Sequence, residues 1–428
     1  MYKKIRIENF LCLRDVTVRL GPFHVLLGPN GSGKSAFLRA LQVLSKLQSA
    51  AVRGKELFAL EDGIGLDELV WRLDRSLPIR FSVWFDDPDA DTPDYRLELS
   101  VFRGLWSVTA ERVRTPQAVL DFGPHNPVFE LPPGTRVRHP AELRWSWPNI
   151  ATLAYRARFY ASDSAAGGVV APFVGLRGRI GGSWRYRISS RDVAAIHYPP
   201  RAPKEPGRRP KELRMLENGR DLVRVLAPLI LAGDDRIERI TRQLKRWFPD
   251  IKSLNAKGDE VSGIRIAYRS ESVDGLVPLS VGSDGLGHLL ALLWVLQITE
   301  RSDEDGSTTI GWEEPENGVH PRYLGSVMGA LRGSVGLDRP NRRMLVSTHS
   351  LDVVSTLEPQ EALDCLLLFD RDSKSGTRVR TLRETPVDVK SLLSNEFEGT
   401  IGSLYWSGLL GSTPSDPPPI ESSVRTGE

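Results

Sequence analysis

Gly28-Pro-Asn-Gly-Ser-Gly-Lys-Ser35 fits G-x-x-x-x-G-K-[ST] without a gap, and its flanks leave the chain few options. Phe23-His-Val-Leu-Leu27 before it is a dense apolar run, which predicts a strand covered on both faces. Ala36 to Leu47 after it is apolar at helical spacing. Strand, glycine turn and helix in that order open an α/β unit. Gly28, Gly31 and Gly33 let the backbone wrap a phosphate with its N–H groups pointing inward, and the following helix N-terminus adds partial positive charge. Lys34 can reach the β- and γ-phosphates of a nucleotide, and the Ser35 hydroxyl can bind Mg²⁺. Asn30, Gly31, Ser32, Gly33, Lys34 and Ser35 are the expected nucleotide contacts.

Two later stretches supply acid and base chemistry. Ile310-Gly-Trp-Glu-Glu-Pro-Glu-Asn-Gly-Val-His-Pro321 puts adjacent carboxylates at the end of a predicted strand. Beside a phosphate loop, the first acid, Glu313, is expected to hold Mg²⁺, and the second, Glu314, to orient or deprotonate an attacking water. Val346-Ser-Thr-His-Ser350 follows an apolar run, and His349 is placed to hydrogen-bond a γ-phosphate or that water. His320 precedes Pro321 in a turn and reads as structural, and His24, His125, His139, His197 and His288 share no metal-ligand spacing.

Composition narrows the setting. The 428 residues, 40% hydrophobic and 26% charged, exclude disorder for most of the length. Two cysteines, Cys12 and Cys365, make no disulfide framework and suit a reducing cytoplasm. No apolar run approaches the roughly 20 residues that span a bilayer, so no membrane role is expected. A net charge of +3 neither demands nor forbids nucleic acid.

The expected organisation is one α/β head split along the chain. Residues 1–55 carry its first part, with alternating strands at Ile5–Phe10 and Val16–Leu20. Residues 56–200 read as a β-rich insertion, residues 201–260 as a connector and helical subdomain, and residues 261–410 as the rest of the head. Residues 411–428, rich in Ser and Pro, read as a disordered tail. The insertion has no apolar heptads and is not expected to be a coiled coil.

On these stretches the chain resembles ABC-type ATPase heads of the SMC and RecF superfamily, and more narrowly the stand-alone AAA ATPases related to the OLD family. Ile5-Arg-Ile-Glu-Asn-Phe10 resembles the family's I-x-I-x-N-F opening, and Gly28 to Ser35 matches its phosphate loop. Ser283-Asp-Gly-Leu-Gly-His-Leu-Leu resembles its signature segment, Glu313-Glu-Pro-Glu its extended acidic motif, and Thr348-His-Ser350 its histidine switch. The resemblance implies a P-loop NTPase head with a mixed central sheet, binding ATP and Mg²⁺ in a homodimer. Ser283 and Gly285 would then meet the partner subunit's nucleotide, with Ser280 and Gly282 as a competing register. Glu313 stands where the family more often has Asp, Gly311 and Trp312 interrupt a usually aliphatic strand, and the Q-loop is unplaced, with Glu111 the candidate.

Three roles are expected from this resemblance. The first is an ATPase that gates a partner effector, a nuclease, in anti-phage defence. About 80 residues follow His349, too few for a fused nuclease domain of ordinary size. The second is a RecF-like DNA-binding ATPase, through residues 174–211. There Arg177, Arg179, Arg185, Arg187 and Arg191 interleave with Trp184 and Tyr186, and Arg208, Arg209 and Lys211 follow. The third is an ATP-binding oligomeric scaffold with little hydrolysis.

Overall fold

The computed structural model describes residues 1–53, 68–102, 105–115, 119–122, 127–130, 179–180, 182–188, 215, 218–259, 263–282, 284–299, 307–336, 338–385, 401–406 and 410. Strands β1 (Lys4–Phe10) and β2 (Leu13–Arg19) form a hairpin, and β3 (Phe23–Leu27) leads into helix α1 (Lys34–Arg53). Strands β4 (Ile79–Trp84), β5 (Tyr95–Phe102), β6 (Leu105–Arg114), β7 (Val119–Phe122) and β8 (Pro127–Glu130) follow as an antiparallel meander. Strand β9 (Gly182–Tyr186), helices α2 (Leu222–Leu231) and α3 (Asp235–Trp247), and strands β10 (Ile251–Asp259), β11 (Gly263–Ser270) and β12 (Leu276–Pro278) come next. The C-terminal half adds α4 (Asp284–Thr299), β13 (Thr308–Glu313), α5 (Pro321–Gly333), β14 (Arg342–Thr348), β15 (Leu366–Asp372) and β16 (Gly376–Thr381).

The strands make three sheets. A six-stranded sheet, in the order β16-β15-β3-β14-β13-β9, is parallel except for its β15–β16 edge. A seven-stranded antiparallel sheet runs β2-β1-β4-β5-β6-β7-β8, and β10-β11-β12 form a small third one. Helix α1 lies between the two large sheets. Its Phe37, Leu41 and Leu44 share one core with Ile7 and Phe81 of the antiparallel sheet and with Leu26, Leu345 and Phe369 of the parallel one. The opposite face of the parallel sheet carries Val25, Ile310, Trp312 and Val346, which pack with α2, α3, α4 and α5 in a second core. With both faces covered, β3, β13 and β14 are buried at every position, which the apolar run of β3 announces and the polar ends of β13 and β14 do not.

The segmentation differs from expectation in two respects. The strands read as an insertion extend the sheet begun by β1 and β2: β4 pairs antiparallel with β1, Ile7 opposite Phe81. Within the same stretch, β9 leaves that sheet and becomes the edge of the parallel one, with Trp312 opposite Tyr186. Alternation shows that residues 79–84 and 95–101 are strands, but not which neighbour each chooses, because pairing is settled by long-range packing. The expected tail at 411–428 lies outside the described residues. No helix among the described residues is long and apolar enough to cross a membrane.

The interruption at Gly311 and Trp312 has a packing cause. A Cβ on Gly311 would stand 3.0 Å from Leu38 Cδ2, so glycine lets α1 approach the sheet. Trp312 fills the opposite face, its ring 5.7 Å from Tyr186, and its Nε1–H donates to His288 Nε2 at 3.3 Å.

Candidate nucleotide site

The cleft at the C-terminal ends of β3, β13 and β14 has a volume of about 740 Å³. Asn30 to Ser35 line it together with Glu313, Glu314 and His349, so residues from three distant stretches meet there. Open α/β sheets place ligands at this end of their strands. The loop that shapes the cleft needs its glycines. Gly33 has φ +111°, and a Cβ there would lie 2.3 Å from Thr377 Oγ1. A Cβ on Gly28 would lie 2.2 Å from the Phe369 carbonyl oxygen. The Lys34 ammonium donates to the Gly28 and Pro29 carbonyls at 2.6 and 3.0 Å. Burial pushes its pKa below the usual lysine value, against the opposing pull of Glu314, Glu313 and Glu316.

The acids meet the loop directly. Ser35 Oγ donates to Glu313 Oε2 at 2.6 Å, and the additional methylene of Glu over Asp supplies that reach. Glu313 Oε1 is buried without a hydrogen bond, 3.5 Å from Arg185 Nε. A hydroxyl beside a carboxylate with an unsatisfied buried oxygen suits a hard divalent cation. Mg²⁺ typically takes one or two such protein ligands and fills its shell with water and phosphate oxygens. Ser35 and Glu313 therefore fit the ion the sequence implied.

Glu314 follows β13 in a left-handed conformation, φ +52°, and its N–H donates to Ser347 O at 2.8 Å. That turn carries its carboxylate to 3.3 Å from His349 Nδ1, where Asn317 Nδ2 donates to the other oxygen at 2.8 Å. Glu316 is a third acid that sequence reasoning quoted without assigning a role. Its Oε1 lies 3.9 Å from His349 Nδ1 and accepts from Thr348 Oγ1 at 2.5 Å. Burial raises its pKa, opposed by the Thr348 hydrogen bond. Thr348 in turn accepts from the Ser350 N–H at 2.9 Å, so the histidine's own loop holds the acid.

Other expected residues fall elsewhere. Ser283 lies outside the described residues. Gly285 is in the first turn of α4 and does not line the cleft; a Cβ there would lie 2.0 Å from the Gly318 carbonyl oxygen. In the competing register, Ser280 is exposed and Gly282 is half-buried against Tyr268. Glu111, the Q-loop candidate, belongs to the sheet core instead: it is fully buried on β6 and accepts from Tyr95 Oη at 2.9 Å. The arginines expected on DNA divide. Arg179 donates to Asp86 Oδ2 at 3.0 Å, Arg185 is turned inward to Glu313, and Arg187 lines the cleft. Arg177, Arg191, Arg208, Arg209 and Lys211 lie outside the described residues. His320, read as structural, is so placed, and His24, for which no metal-ligand spacing was found, lies away from the cleft. His320 caps α5, accepting from the Arg322 N–H. His24 is buried, accepting from the Gly21 N–H at Nε2 and facing the Cys365 carbonyl with Nδ1.

A 44-residue stretch is 43% identical to the OLD nuclease of Thermus scotoductus, covering 10% of this chain and 8% of that protein. Among solved structures, the SmcHead bound to the C-winged helix domain of ScpA is 12% identical, with a TM-score of 0.44 over 89% of this chain and 97% of that one. The SMC head domain from Thermotoga maritima is 12% identical, with a TM-score of 0.37 over 89% and 98%. Residues 23–355, most of the chain, match the family described as "AAA domain, putative AbiEii toxin, Type IV TA system", and the chain belongs to that family of ATPase domains.

Proposed function

We propose that this chain is a Mg²⁺-dependent ATP hydrolase of the cytoplasm that dimerises around ATP and gates a partner effector, a nuclease, in anti-phage defence. The observation that carries the catalytic part is the meeting of Ser35, Glu313, Glu314 and His349 in one cleft. Lys34 and the loop N–H groups bind the β- and γ-phosphates, and Ser35 with Glu313 holds Mg²⁺, which offsets phosphate charge when bound. Glu314, fixed by Asn317 and His349, accepts the proton of the attacking water. Ser283 and Gly285 act on the nucleotide of the partner subunit. The effector role draws on the similarity to an OLD nuclease and on the toxin–antitoxin wording of the family's description. The RecF-like reading is weaker, because Arg179 and Arg185 already serve Asp86 and Glu313.

Glu314→Gln provides the test. Turnover is expected to fall by on the order of 10²–10⁴-fold while ATP still binds, and sedimentation should then reveal a persistent ATP-bound dimer. Turnover unchanged by the substitution removes Glu314 as the base. A wild-type chain that binds ATP and dimerises without hydrolysing it supports the scaffold role instead.

A further inference from the structure

We propose that Arg187 is a phosphate-binding residue acting within its own subunit, its guanidinium contacting the terminal phosphate opposite Lys34. The inference rests on the ATP-hydrolase reading and names a residue which that reading lacks.

Position is the first argument. Strand β9 pairs in parallel with β13, Tyr186 opposite Trp312, so the next residue on each strand sets Arg187 beside Glu313. Both lie at the C-terminal ends of their strands, and both line the cleft with Lys34, Ser35 and Glu314. Direction is the second. Side chains two apart on a strand share a face, and Arg185, two residues earlier, points its Nε to within 3.5 Å of Glu313 Oε1. The Ser183 N–H, two residues earlier again, donates to Ser45 Oγ of α1, so this strand runs against the phosphate-loop helix.

Charge is the third argument. At this end of the cleft Glu313 and Glu314 meet Lys34 and Arg185, while Arg72 and Arg371 line it farther along, and a nucleoside triphosphate adds several further negative charges to be matched. Arg187 is exposed, and among the described residues no hydrogen bond or ion pair engages it. Arg185 has already taken the place beside Glu313, which leaves the second guanidinium for a ligand. A guanidinium presents a planar fork of donors that matches phosphate oxygens two at a time. Because phosphoryl transfer spreads charge over the equatorial oxygens, such a contact strengthens in the transition state.

Arg187→Ala and Arg187→Lys, each checked for an unchanged unfolding midpoint, test the assignment at fixed Mg²⁺. For Arg187→Ala, ADP affinity should stay within about twofold of wild type and ATPγS affinity should fall by about tenfold. Its kcat should fall by on the order of 10²–10³ with a smaller change in KM, and Arg187→Lys should recover part of both losses. An unchanged ATPγS-to-ADP affinity ratio with unchanged kcat overturns the assignment. So does an equal loss for both nucleotides, or a loss of DNA affinity alone. A wild-type chain that binds neither nucleotide fails earlier, and overturns the ATP-hydrolase reading itself.

Discussion

Glu313 touches Ser35 with one carboxylate oxygen and keeps the other buried near Arg185. Removing that carboxylate should weaken the cation site and leave the phosphate loop intact. Glu313→Ala is expected to raise the Mg²⁺ concentration for half-maximal turnover by on the order of 10–100-fold, read by Mg²⁺ titration. An unaltered Mg²⁺ dependence would detach Glu313 from the ion. Ser35, Glu313, Glu314 and His349 were legible in the sequence because each sits in a short contiguous motif whose chemistry needs that residue type. The placement of Glu316 beside His349, and of Arg187 in the cleft rather than on the DNA-facing stretch expected for it, was not, since these depend on a loop closing back and on a strand pairing across sequence. The backbone at the cleft was equally hidden. Asn9, Leu11, Arg72, Leu73 and Glu314 adopt positive φ, and all but Asn9 line the cleft. Each such conformation costs about 1–3 kcal/mol and persists only where the surroundings impose it.

At the scale of elements, the first turn of α4 presses on the turn that follows β13. With a Cβ on Gly285 only 2.0 Å from the Gly318 carbonyl, backbone would have to move against backbone. Gly285→Ala should therefore destabilise the isolated chain by about 1–3 kcal/mol, measured by urea unfolding without nucleotide. An unchanged midpoint would mean that the turn yields freely, leaving Gly285 only the role proposed for it toward a partner subunit. The apolar length of α4 was plain in the sequence, and the helix is buried on every side. The family resemblance sets Gly285 against a partner's nucleotide, and a close neighbour in the same chain calls for glycine there as well. Sequence spacing carries no record of such a contact between α4 and the turn after β13.

Across the whole molecule, two buried histidines should make the fold sensitive to acid. Burial lowers His24 and His288 from the ordinary 6.5 to about 4. Between those values the unfolded chain binds more protons, so the stability each contributes is complete above 6.5 and lost as pH falls toward 4. From pH 7 to pH 5 each should cost about 2 kcal/mol of unfolding free energy. His288→Gln, which keeps an acceptor for the Trp312 N–H, should flatten the pH profile by that amount in denaturant titrations. An identical slope would show that His288 does not stay neutral in the fold. The division of the head between the two ends of the chain was legible, because motifs that must share a cleft stood far apart. The partnership of β4–β8 with β1–β2 was not, because edge choice follows from surfaces buried on both sides of α1.

Residues 179–180 and 182–187 touch each large layer in turn. Arg179 holds Asp86 next to the antiparallel sheet, the Ser183 N–H holds α1, Arg185 holds Glu313, and Arg187 reaches the cleft. The stretch therefore works as a tie-rod. A shift of the antiparallel sheet over the parallel one would load the Arg179–Asp86 pair, then the Ser183–Ser45 bond, then Arg185 beside Glu313, so the outer strands and the nucleotide cleft share one line of contacts.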